Sequence, residues 1–184
     1  MHAKNIMHRD LKPENILFRS KDSYNCVIAD YGLAEFSDAE EYLFVRCGTP
    51  GYVAPEVINI KDMKAKYSPI CDIFSLGLIF HLLLFGRSIF KGKTYNDVLH
   101  ENRACKFDLD GEEYAKTDRI VLDLLKKMLK KDPEERITAE AALFHPYFGQ
   151  YEEEEAEEEE EEEMNKENRD HVDMADSPIL TSSN

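Results

Sequence analysis

Two short apolar runs near the start of the chain are separated by a polar stretch. The runs cover residues 16–18 and 26–29, and polar residues fill positions 19–25 between them. Runs of this length that are bounded by polar turn residues are typical of strands joined in a hairpin. The pattern therefore predicts a small β-hairpin, whereas residues 30–56 mix Gly, Pro, Ser and acidic residues without periodicity and are predicted to be irregular.

The rest of the pattern is helical. Residues 68–85 are apolar on nearly every face, which is typical of a buried central helix, and Gly86 stands where a helix is expected to stop. Residues 118–130 carry one apolar stripe, with lysines gathered at its end as the helix dipole favours. Two shorter helices are predicted over residues 94–102 and from Thr138 to just before His145-Pro146. The fold class predicted from these elements is α+β, mostly α.

Charge is distributed unevenly along the chain. Residues 151–184 hold 15 acidic and 2 basic side chains, with 11 glutamates between Glu152 and Glu163, while residues 1–150 hold 23 acidic and 21 basic side chains. A segment this rich in glutamate cannot bury enough apolar surface to offset its ordering entropy, so residues 149–184 are predicted to be an acidic disordered tail. The remainder is almost neutral, and we expect no nucleic-acid partner because no broad basic face is indicated.

The cysteines and the longest apolar run bear on location. Four cysteines fit neither a zinc pattern nor a dense disulfide framework, so free thiols in a reducing compartment are expected. The apolar run 76–85 is interrupted by Gly77 and His81 and is too short to cross a bilayer. We therefore expect no membrane partner, no signal peptide and a cytoplasmic or nuclear location.

The segment His8-Arg9-Asp10-Leu11-Lys12-Pro13-Glu14-Asn15 carries the strongest chemical signal. Phosphoryl transfer to a hydroxyl needs a base near the nucleophile, a cation on the moving phosphate and ligands for magnesium. Asp10 can accept the hydroxyl proton or orient the hydroxyl, Lys12 is near enough to reach the same phosphate, and Asn15 offers a neutral oxygen to a hard cation. A charged surface loop is the alternative, and the full run followed by an apolar strand disfavours it.

Two further segments follow in order. Asp30-Tyr31-Gly32 comes directly after the second predicted strand, where Asp30 can meet Asn15 across the hairpin and share a metal ion. Residues 47–56 read Cys-Gly-Thr-Pro-Gly-Tyr-Val-Ala-Pro-Glu. Each segment alone is compatible with an ordinary turn or loop, and their order and spacing behind residues 8–15 favour a common site.

These three segments resemble the catalytic loop, the magnesium-binding motif and the end of the activation segment in eukaryotic protein kinases. The resemblance covers residues 1–148, which are therefore predicted to be a partial kinase domain, the C-lobe from the catalytic loop onward. Lys12 and Thr49 match the serine/threonine class, and residues 47–56 are most similar to the calcium/calmodulin-dependent-kinase-like group.

The resemblance implies a role for each matching residue. Asp10 would be the catalytic base, Lys12 would stabilise the phosphate, Asn15 and Asp30 would hold Mg²⁺, and Leu17 would lie beneath the adenine of ATP. His8 and Tyr31 resemble members of a hydrophobic spine, and Glu14 resembles a contact for a basic substrate residue. The residues implied to build the loop and the substrate-binding segment are His8, Arg9, Glu14, Thr49, Glu56, Asp72 and Arg136. Asp72 would anchor the catalytic loop, and Arg136 would pair with Glu56.

One departure from the family concerns Arg9. Many relatives carry a phosphorylatable residue four positions before the threonine of Gly-Thr-Pro, and Val45 stands there in this chain. Arg9, which would pair with that phosphate, must find another anion or stay unpaired. Glu40 and Glu41 are the candidates by proximity in sequence, and Ser37 and Tyr42 remain alternative phosphosites.

The family's glycine-rich phosphate loop, its strand lysine and the helix glutamate that holds this lysine do not occur in the 184 residues. The chain is therefore expected to lack the N-lobe, through either a truncated gene model or a real short product. The resemblance implies transfer of the ATP γ-phosphoryl group to Ser or Thr of protein substrates, with calcium/calmodulin-type regulation of the parent protein. We expect this fragment alone to be inactive, and the rival function is that of a catalytically dead, pseudokinase-like interaction module.

Overall fold

The structure, a computed structural model, describes residues 1–21 and 23–149. Residues 1–143 form one compact unit, and the described residues 144–149 belong to a second unit. The predicted acidic tail, residues 149–184, lies outside the described residues apart from Gly149.

The β-structure consists of two small antiparallel sheets. Strand β2 (Ile16–Phe18) pairs with β3 (Cys26–Ile28), with Leu17 opposite Val27, so the predicted hairpin is present. Strand β1 (Ile6–Met7) pairs with β4 (Glu35–Phe36). The prediction that residues 30–56 contain no regular element is wrong at β4 and at residues 55–56, where a helix of four residues begins. Elements this short leave no periodicity in the sequence.

Five α-helices follow in the described residues. Their bounds are Pro55–Ile58 for α1, Ile70–Phe85 for α2, Tyr95–Ala104 for α3, Arg119–Met128 for α4 and Ala139–Leu143 for α5. Short 3₁₀ turns cover His2–Lys4, Pro13–Asn15, Glu112–Tyr114 and Pro133–Glu135. Each predicted helix is thus present within two or three residues of its expected bounds. Gly86 ends α2 in the left-handed conformation, and Thr94 starts α3 through a capping box with Asp97.

Helix α2 is the centre of the compact unit. Nine of its 16 residues are buried, and Phe74 is completely inaccessible to solvent, whereas Leu76 is 38% exposed. Helices α2 and α4 approach closely at Gly77, where a Cβ would lie 2.9 Å from Leu129 Cδ2 and 3.0 Å from Met128 Cβ. A side chain at this position would push the two helices apart, so the sequence Ser-Leu-Gly sets their spacing. The far end of α2 is less covered, since Leu83 is exposed.

The core lies around α2 and takes residues from most elements of the unit. Its buried apolar members include Met7, Tyr42, Phe74, Leu78, Phe90, Tyr114, Leu125 and Leu129. The prediction of a mostly helical chain with a small β-hairpin is confirmed. In the part of the chain that the structure describes, the helices are too short or too polar to cross a membrane.

Candidate active site

Residues 8–15 form a loop between β1 and β2 that is anchored from below by α2. Asp72, which is 1% exposed, accepts hydrogen bonds from the backbone N–H of His8 at 2.7 Å and of Arg9 at 2.9 Å. Arg9 has a φ of 70°, a left-handed conformation that is costly for a residue with a side chain. The two bonds to a buried carboxylate hold the backbone in this conformation, so Asp72 fixes the loop that carries Asp10.

Asp10, Lys12 and Thr49 form a closed triangle of hydrogen bonds. The Thr49 hydroxyl donates to Asp10 Oδ1 at 2.7 Å, and Lys12 Nζ donates to Asp10 Oδ2 at 2.8 Å and to Thr49 Oγ1 at 3.0 Å. Both members of the ion pair are mostly shielded from solvent. A carboxylate and an ammonium group are thereby held around one hydroxyl oxygen.

The electrostatics of this triangle favour a charged lysine. The hydrogen bond to Asp10 raises the pKa of Lys12 above its usual range, and the charges of Asp10, Glu14 and Asp30 act in the same direction against a desolvation that lowers it. Lys12 is therefore a cation throughout the neutral pH range. It can neutralise negative charge on an anion that approaches Asp10.

Asn15 and Asp30 lie at the open end of the β2–β3 hairpin, Asn15 just before β2 and Asp30 two residues after β3. The Asn15 side chain is buried and donates from Nδ2 to the carbonyl oxygen of Asp10 at 2.9 Å, so its Oδ1 is the atom that remains for a cation. Asp30 is exposed, has a φ of 61°, and accepts the N–H of Gly32 at 3.2 Å. The Ala29 N–H donates to the Asn15 carbonyl at 2.9 Å and links the two positions, while no direct hydrogen bond joins the two side chains in the described residues.

These donors fit a magnesium ion. Mg²⁺ prefers hard oxygen ligands and is usually bound by one or two protein side chains together with phosphate and water. Asn15 and Asp30 offer an amide oxygen and a carboxylate, and residues 1–21 and 23–149 contain no cluster of three or more His, Cys, Asp or Glu suited to a metal. The pair suits an ion that shares its coordination with a phosphate rather than a closed protein cage.

Leu17, predicted to lie beneath the adenine, and Tyr31, predicted to belong to the hydrophobic spine, are both exposed to solvent. Leu17 is 49% exposed on β2, and Tyr31 is 52% exposed next to Asp30. The Tyr31 ring nevertheless contacts the His8 ring edge-on at 5.2 Å, and His8 Nε2 is 2.9 Å from the carbonyl oxygen of Ala29. The structure thus brings the two predicted spine residues together and leaves an apolar surface above the hairpin.

Arg9 is satisfied without a phosphate. Its Nε donates to the carbonyl of Leu33 at 2.6 Å, and its Nη1 donates to the carbonyl of Phe44 at 2.7 Å and to the Tyr67 hydroxyl at 3.2 Å. Glu35 is the nearest carboxylate, with Oε2 3.9 Å from Nη2. The prediction that Glu40 or Glu41 pairs with Arg9 is wrong, because β4 brings Glu35 to the guanidinium while both of the predicted residues are exposed.

Two tyrosines complete the enclosure of Arg9. The Tyr42 ring lies 5.5 Å from the Arg9 guanidinium carbon, and its hydroxyl bonds the carbonyls of Ser37 and Tyr67 at 2.9 and 3.0 Å. Burial raises the pKa of both Tyr42 and Tyr67, so both hydroxyls are neutral at neutral pH; that of Tyr42 donates to carbonyls, and that of Tyr67 accepts from Arg9. Val45 is buried beside them. Sequence analysis missed Tyr67, since a lone tyrosine in a polar stretch carries no signal of its partner.

Glu56 and Arg136 form a buried ion pair. Arg136 donates from Nη1 to Glu56 Oε1 at 2.6 Å and from Nη2 to Oε2 at 2.9 Å, which is the bidentate geometry that strengthens such pairs. Its remaining donors reach the carbonyls of Ile70, Lys130 and Lys131. The arginine thus ties the end of segment 47–56 to the first turn of α2 and to the loop after α4.

Glu14 is exposed on the turn that follows Lys12. Burial is the main cause that raises the pKa of Tyr52, and the Glu14 charge raises it further. A negative charge therefore borders the surface next to the Asp10–Lys12–Thr49 triangle.

Comparison with known proteins gives a consistent result. A family model described as protein kinase domain matches residues 1–148. The chain is 36% identical over 153 residues to calcium/calmodulin-dependent protein kinase type I of Schizosaccharomyces pombe, an alignment that covers 82% of the chain and 44% of the relative. It is 37% identical over 150 residues to calcium-dependent protein kinase 3 of Plasmodium berghei, covering 80% and 26%. It is 38% identical over 147 residues to calcium-dependent protein kinase 11 of Arabidopsis thaliana, covering 79% and 29%.

The chain spans less than half the length of each of these relatives. All three are named as calcium- or calmodulin-dependent protein kinases, in agreement with the subgroup that residues 47–56 indicate. The match of the family model extends over most of the chain and includes every residue of the geometry described above. The chain therefore belongs to the protein kinase family, as a partial serine/threonine kinase domain similar to the calcium/calmodulin-dependent group.

Proposed function

We propose that this chain supplies the phosphate-acceptor side of a serine/threonine protein kinase, which transfers the γ-phosphoryl group of ATP to a protein hydroxyl. The observation that carries the proposal is the triangle of Asp10, Lys12 and Thr49. Its carboxylate and ammonium already hold one alcohol, the Thr49 hydroxyl, as both donor and acceptor. A substrate serine or threonine needs the same two partners.

Asp10 orients the substrate hydroxyl and receives its proton as the oxygen attacks phosphorus. Lys12 offsets the negative charge of the transferred group, which it can do because its pKa is raised and it stays charged. Asp72 holds the backbone of the loop through the N–H groups of His8 and Arg9. The side chains of Asp10 and Lys12 therefore do not have to be ordered during the reaction.

Asn15 and Asp30 would hold the magnesium ion, and Leu17 would contact the adenine of ATP. The metal, when bound, neutralises phosphate charge and orients the reacting group. The amide and carboxylate oxygens and the apolar exposed surface of β2 support these roles.

The test uses the protein expressed from its complete gene, assayed with labelled ATP and a degenerate Ser/Thr peptide mixture. Asp10→Asn is expected to lower transfer at least about 100-fold, the scale of general acid–base catalysis. Asp62→Asn, in a surface turn, is the matched control and should be unaffected. Equal transfer by wild type and Asp10→Asn would contradict the assignment of the base.

The 184-residue chain provides the second arm of the same test. We expect it to show no turnover alone, because its residues offer no glycine-rich loop or strand lysine for the ATP phosphates. Turnover that is abolished by Asp30→Ala would overturn this expectation. A complete protein that also transfers no phosphate would instead favour the rival function, a non-catalytic interaction module of the kinase fold.

Substrate preference follows from Glu14. Its exposed carboxylate, on the turn that follows Lys12, favours a basic residue upstream of the target Ser or Thr. A positional peptide library on the active protein should show selection for Arg or Lys, and Glu14→Gln should weaken that selection. Indifference of the wild type to upstream basic residues would remove this proposal and leave the phosphoryl-transfer assignment intact.

Calcium dependence is proposed from the names of the relatives. The similar proteins of fission yeast, Plasmodium and Arabidopsis are named as calcium- or calmodulin-dependent kinases. Transfer by the complete protein is therefore expected to rise when calcium and calmodulin replace a calcium chelator in the assay. Identical rates in the two conditions would contradict calcium/calmodulin-type regulation.

A further inference from the structure

Asn102 is a fully buried amide in a helix that is otherwise largely exposed. It is 0% exposed and is the one residue of α3 that is buried. Its Oδ1 accepts the backbone N–H of Gly51 at 2.9 Å, and its Nδ2 donates to the backbone carbonyl of Val53 at 2.9 Å. One side chain thus completes the hydrogen bonds at both ends of the three-residue stretch Gly51–Val53.

The middle of this stretch is held in the same way by other groups. Ser75 Oγ, from α2, donates to the carbonyl of Tyr52 at 2.8 Å, and the Tyr52 N–H donates to the carbonyl of Thr49 at 3.1 Å. Gly51 has a φ of +96°, and a Cβ there would lie 3.2 Å from Val98 Cγ1. The stretch therefore has a backbone conformation that is uncommon for other residues and that two helices hold by buried polar side chains.

The stretch is directly connected to the triangle of the candidate active site. Thr49 begins the turn that the Tyr52 N–H closes, and its hydroxyl bonds both Asp10 and Lys12. A shift of Gly51 would move Thr49 because only one residue separates them. The conformation of residues 49–53 is consequently coupled to the position of the hydroxyl that contacts the proposed base.

We propose that Asn102 is a positioning residue that fixes residues 49–53 as a rigid backbone edge beside Asp10. Its contribution is to hold Thr49 against the Asp10–Lys12 pair and to present a fixed surface to the substrate chain. The second part of this proposal rests on the proposed function, whereas the backbone geometry does not.

The first test is amide hydrogen exchange on the 184-residue chain. The wild-type Gly51 amide should exchange at least about tenfold more slowly than an unbonded amide. Asn102→Asp keeps the size and the acceptor of the side chain but places a carboxylate oxygen against the Val53 carbonyl, so Gly51 exchange should accelerate about tenfold or more. Amides of α2 should be unchanged. The proposal would be overturned if the wild-type Gly51 amide exchanged as fast as an unbonded amide. It would also be overturned if the Gly51 amide of Asn102→Asp exchanged at the wild-type rate.

A matched control is available in the same interface. Asn59 also joins this region to α3, with Nδ2 donating to the Arg103 carbonyl at 3.1 Å, but it is exposed and bonds no backbone group of residues 49–53. Asn59→Asp should leave Gly51 exchange within about twofold of wild type. Should Asn102→Asp not fold, Asn102→Ser, which leaves room for a bridging water, replaces it with a smaller acceleration expected.

The second test is kinetic and uses the complete protein with the degenerate Ser/Thr peptide mixture. Asn102→Asp should raise the apparent KM for peptide about tenfold and leave the KM for ATP within about twofold, a split that general loss of fold would not produce. An unchanged peptide KM, or an equal rise of both constants, would overturn the positioning role. Absence of transfer in the wild type would contradict the proposed function, and the exchange measurement would still decide whether Asn102 fixes the backbone.

Discussion

The two sides of the candidate site differ in how much support they receive from the chain. On the acceptor side, Asp72, Asn102 and Arg136 are buried side chains that bond the backbone or the acidic groups of residues 8–56. On the nucleotide side, a two-stranded sheet carries Leu17 and ends near Tyr31, and both side chains are about half exposed.

This difference separates two requirements of phosphoryl transfer. Orienting an acceptor hydroxyl needs fixed hydrogen-bonding groups, and α2 and α3 provide them from within these 184 residues. Enclosing a nucleotide needs cover over an apolar surface, and an isolated two-stranded sheet is only marginally stable. The acceptor side is therefore preorganised, while the nucleotide side offers ligands on a weakly supported sheet.

The largest effect is expected from removing Arg136. Its bidentate bonds to Glu56 and its bonds to three carbonyls connect α2 with segment 47–56. Arg136→Ala leaves the Glu56 carboxylate without its counterion and should cost about 3–5 kcal/mol of the free energy of unfolding, as for other broken buried pairs. Chemical denaturation measures this change.

An exposed pair on α4 serves as the control for that substitution. Lys127 and Asp123 are about half exposed and lie one helical turn apart. Lys127→Ala should change the free energy of unfolding by about 0.5 kcal/mol or less. Equal effects of the two substitutions would show that the Glu56–Arg136 pair does not support the acceptor side in the manner described.

The next effect concerns the anchor of the loop formed by residues 8–15. Asp72→Asn replaces one acceptor oxygen by an NH₂ group that faces a backbone N–H of His8 or Arg9. One unsatisfied buried donor should cost about 1–3 kcal/mol. Hydrogen exchange should accelerate at the His8 and Arg9 amides before it does elsewhere. Unchanged exchange at both amides would mean that the loop is held by other contacts.

A pH dependence is expected from the C-terminal half of α2. His81 is buried, with Nδ1 3.1 Å from the Arg87 carbonyl and Nε2 2.9 Å from the Tyr114 hydroxyl. Burial lowers the pKa of His81 below its usual 6.5, and the Arg87 charge acts in the same direction, against the hydrogen bond to the Arg87 carbonyl and the Glu113 charge, which raise it. As the pH is lowered, His81 is therefore protonated in the unfolded chain before it is protonated in the folded chain. The free energy of unfolding consequently falls as the pH drops below about 6.5.

Denaturation between pH 7.5 and 5 checks this expectation. The free energy of unfolding of wild type should decrease toward low pH more steeply than that of His81→Gln, which has no group to protonate at this position. Parallel pH profiles of the two proteins would contradict the assignment to His81.

The smallest effect is expected on the nucleotide side. Leu17→Ala removes a side chain that is half exposed and should cost less than about 1 kcal/mol. Leu125→Ala removes a completely buried leucine and should cost about 2–5 kcal/mol. Similar losses for the two variants would show that the hairpin is as well packed as the core, which would remove the contrast between the two sides.

Much of this architecture is predictable because it rests on local patterns. The continuous apolar run of α2, the apolar stripe of α4 and the polar turn of the β2–β3 hairpin depend on neighbouring residues alone. The residues of segment 8–15 that carry the proposed chemistry are recognisable for the same reason, since they follow one another within eight positions.

The features that sequence analysis missed depend on distant partners. Asn102 sits between glutamate and arginine and has the appearance of a surface residue, and only the fold brings it to Gly51. The partner of Arg9 was predicted wrongly because proximity in sequence favoured Glu40 and Glu41, while the β1–β4 pairing delivers Glu35. Side-chain bonds to a distant backbone have no periodicity that a single sequence reveals.

We infer that the chain itself preorganises the acceptor side but not the nucleotide side. Amide hydrogen exchange on the purified 184-residue chain tests it most directly, by comparing the His8 and Arg9 amides with the hairpin amide of Arg19, which bonds the Asn25 carbonyl at 2.9 Å. We expect the His8 and Arg9 amides to exchange at least about tenfold more slowly than that of Arg19, since their acceptor is a buried carboxylate. Equal protection of all three amides, or faster exchange at His8 and Arg9, would contradict it.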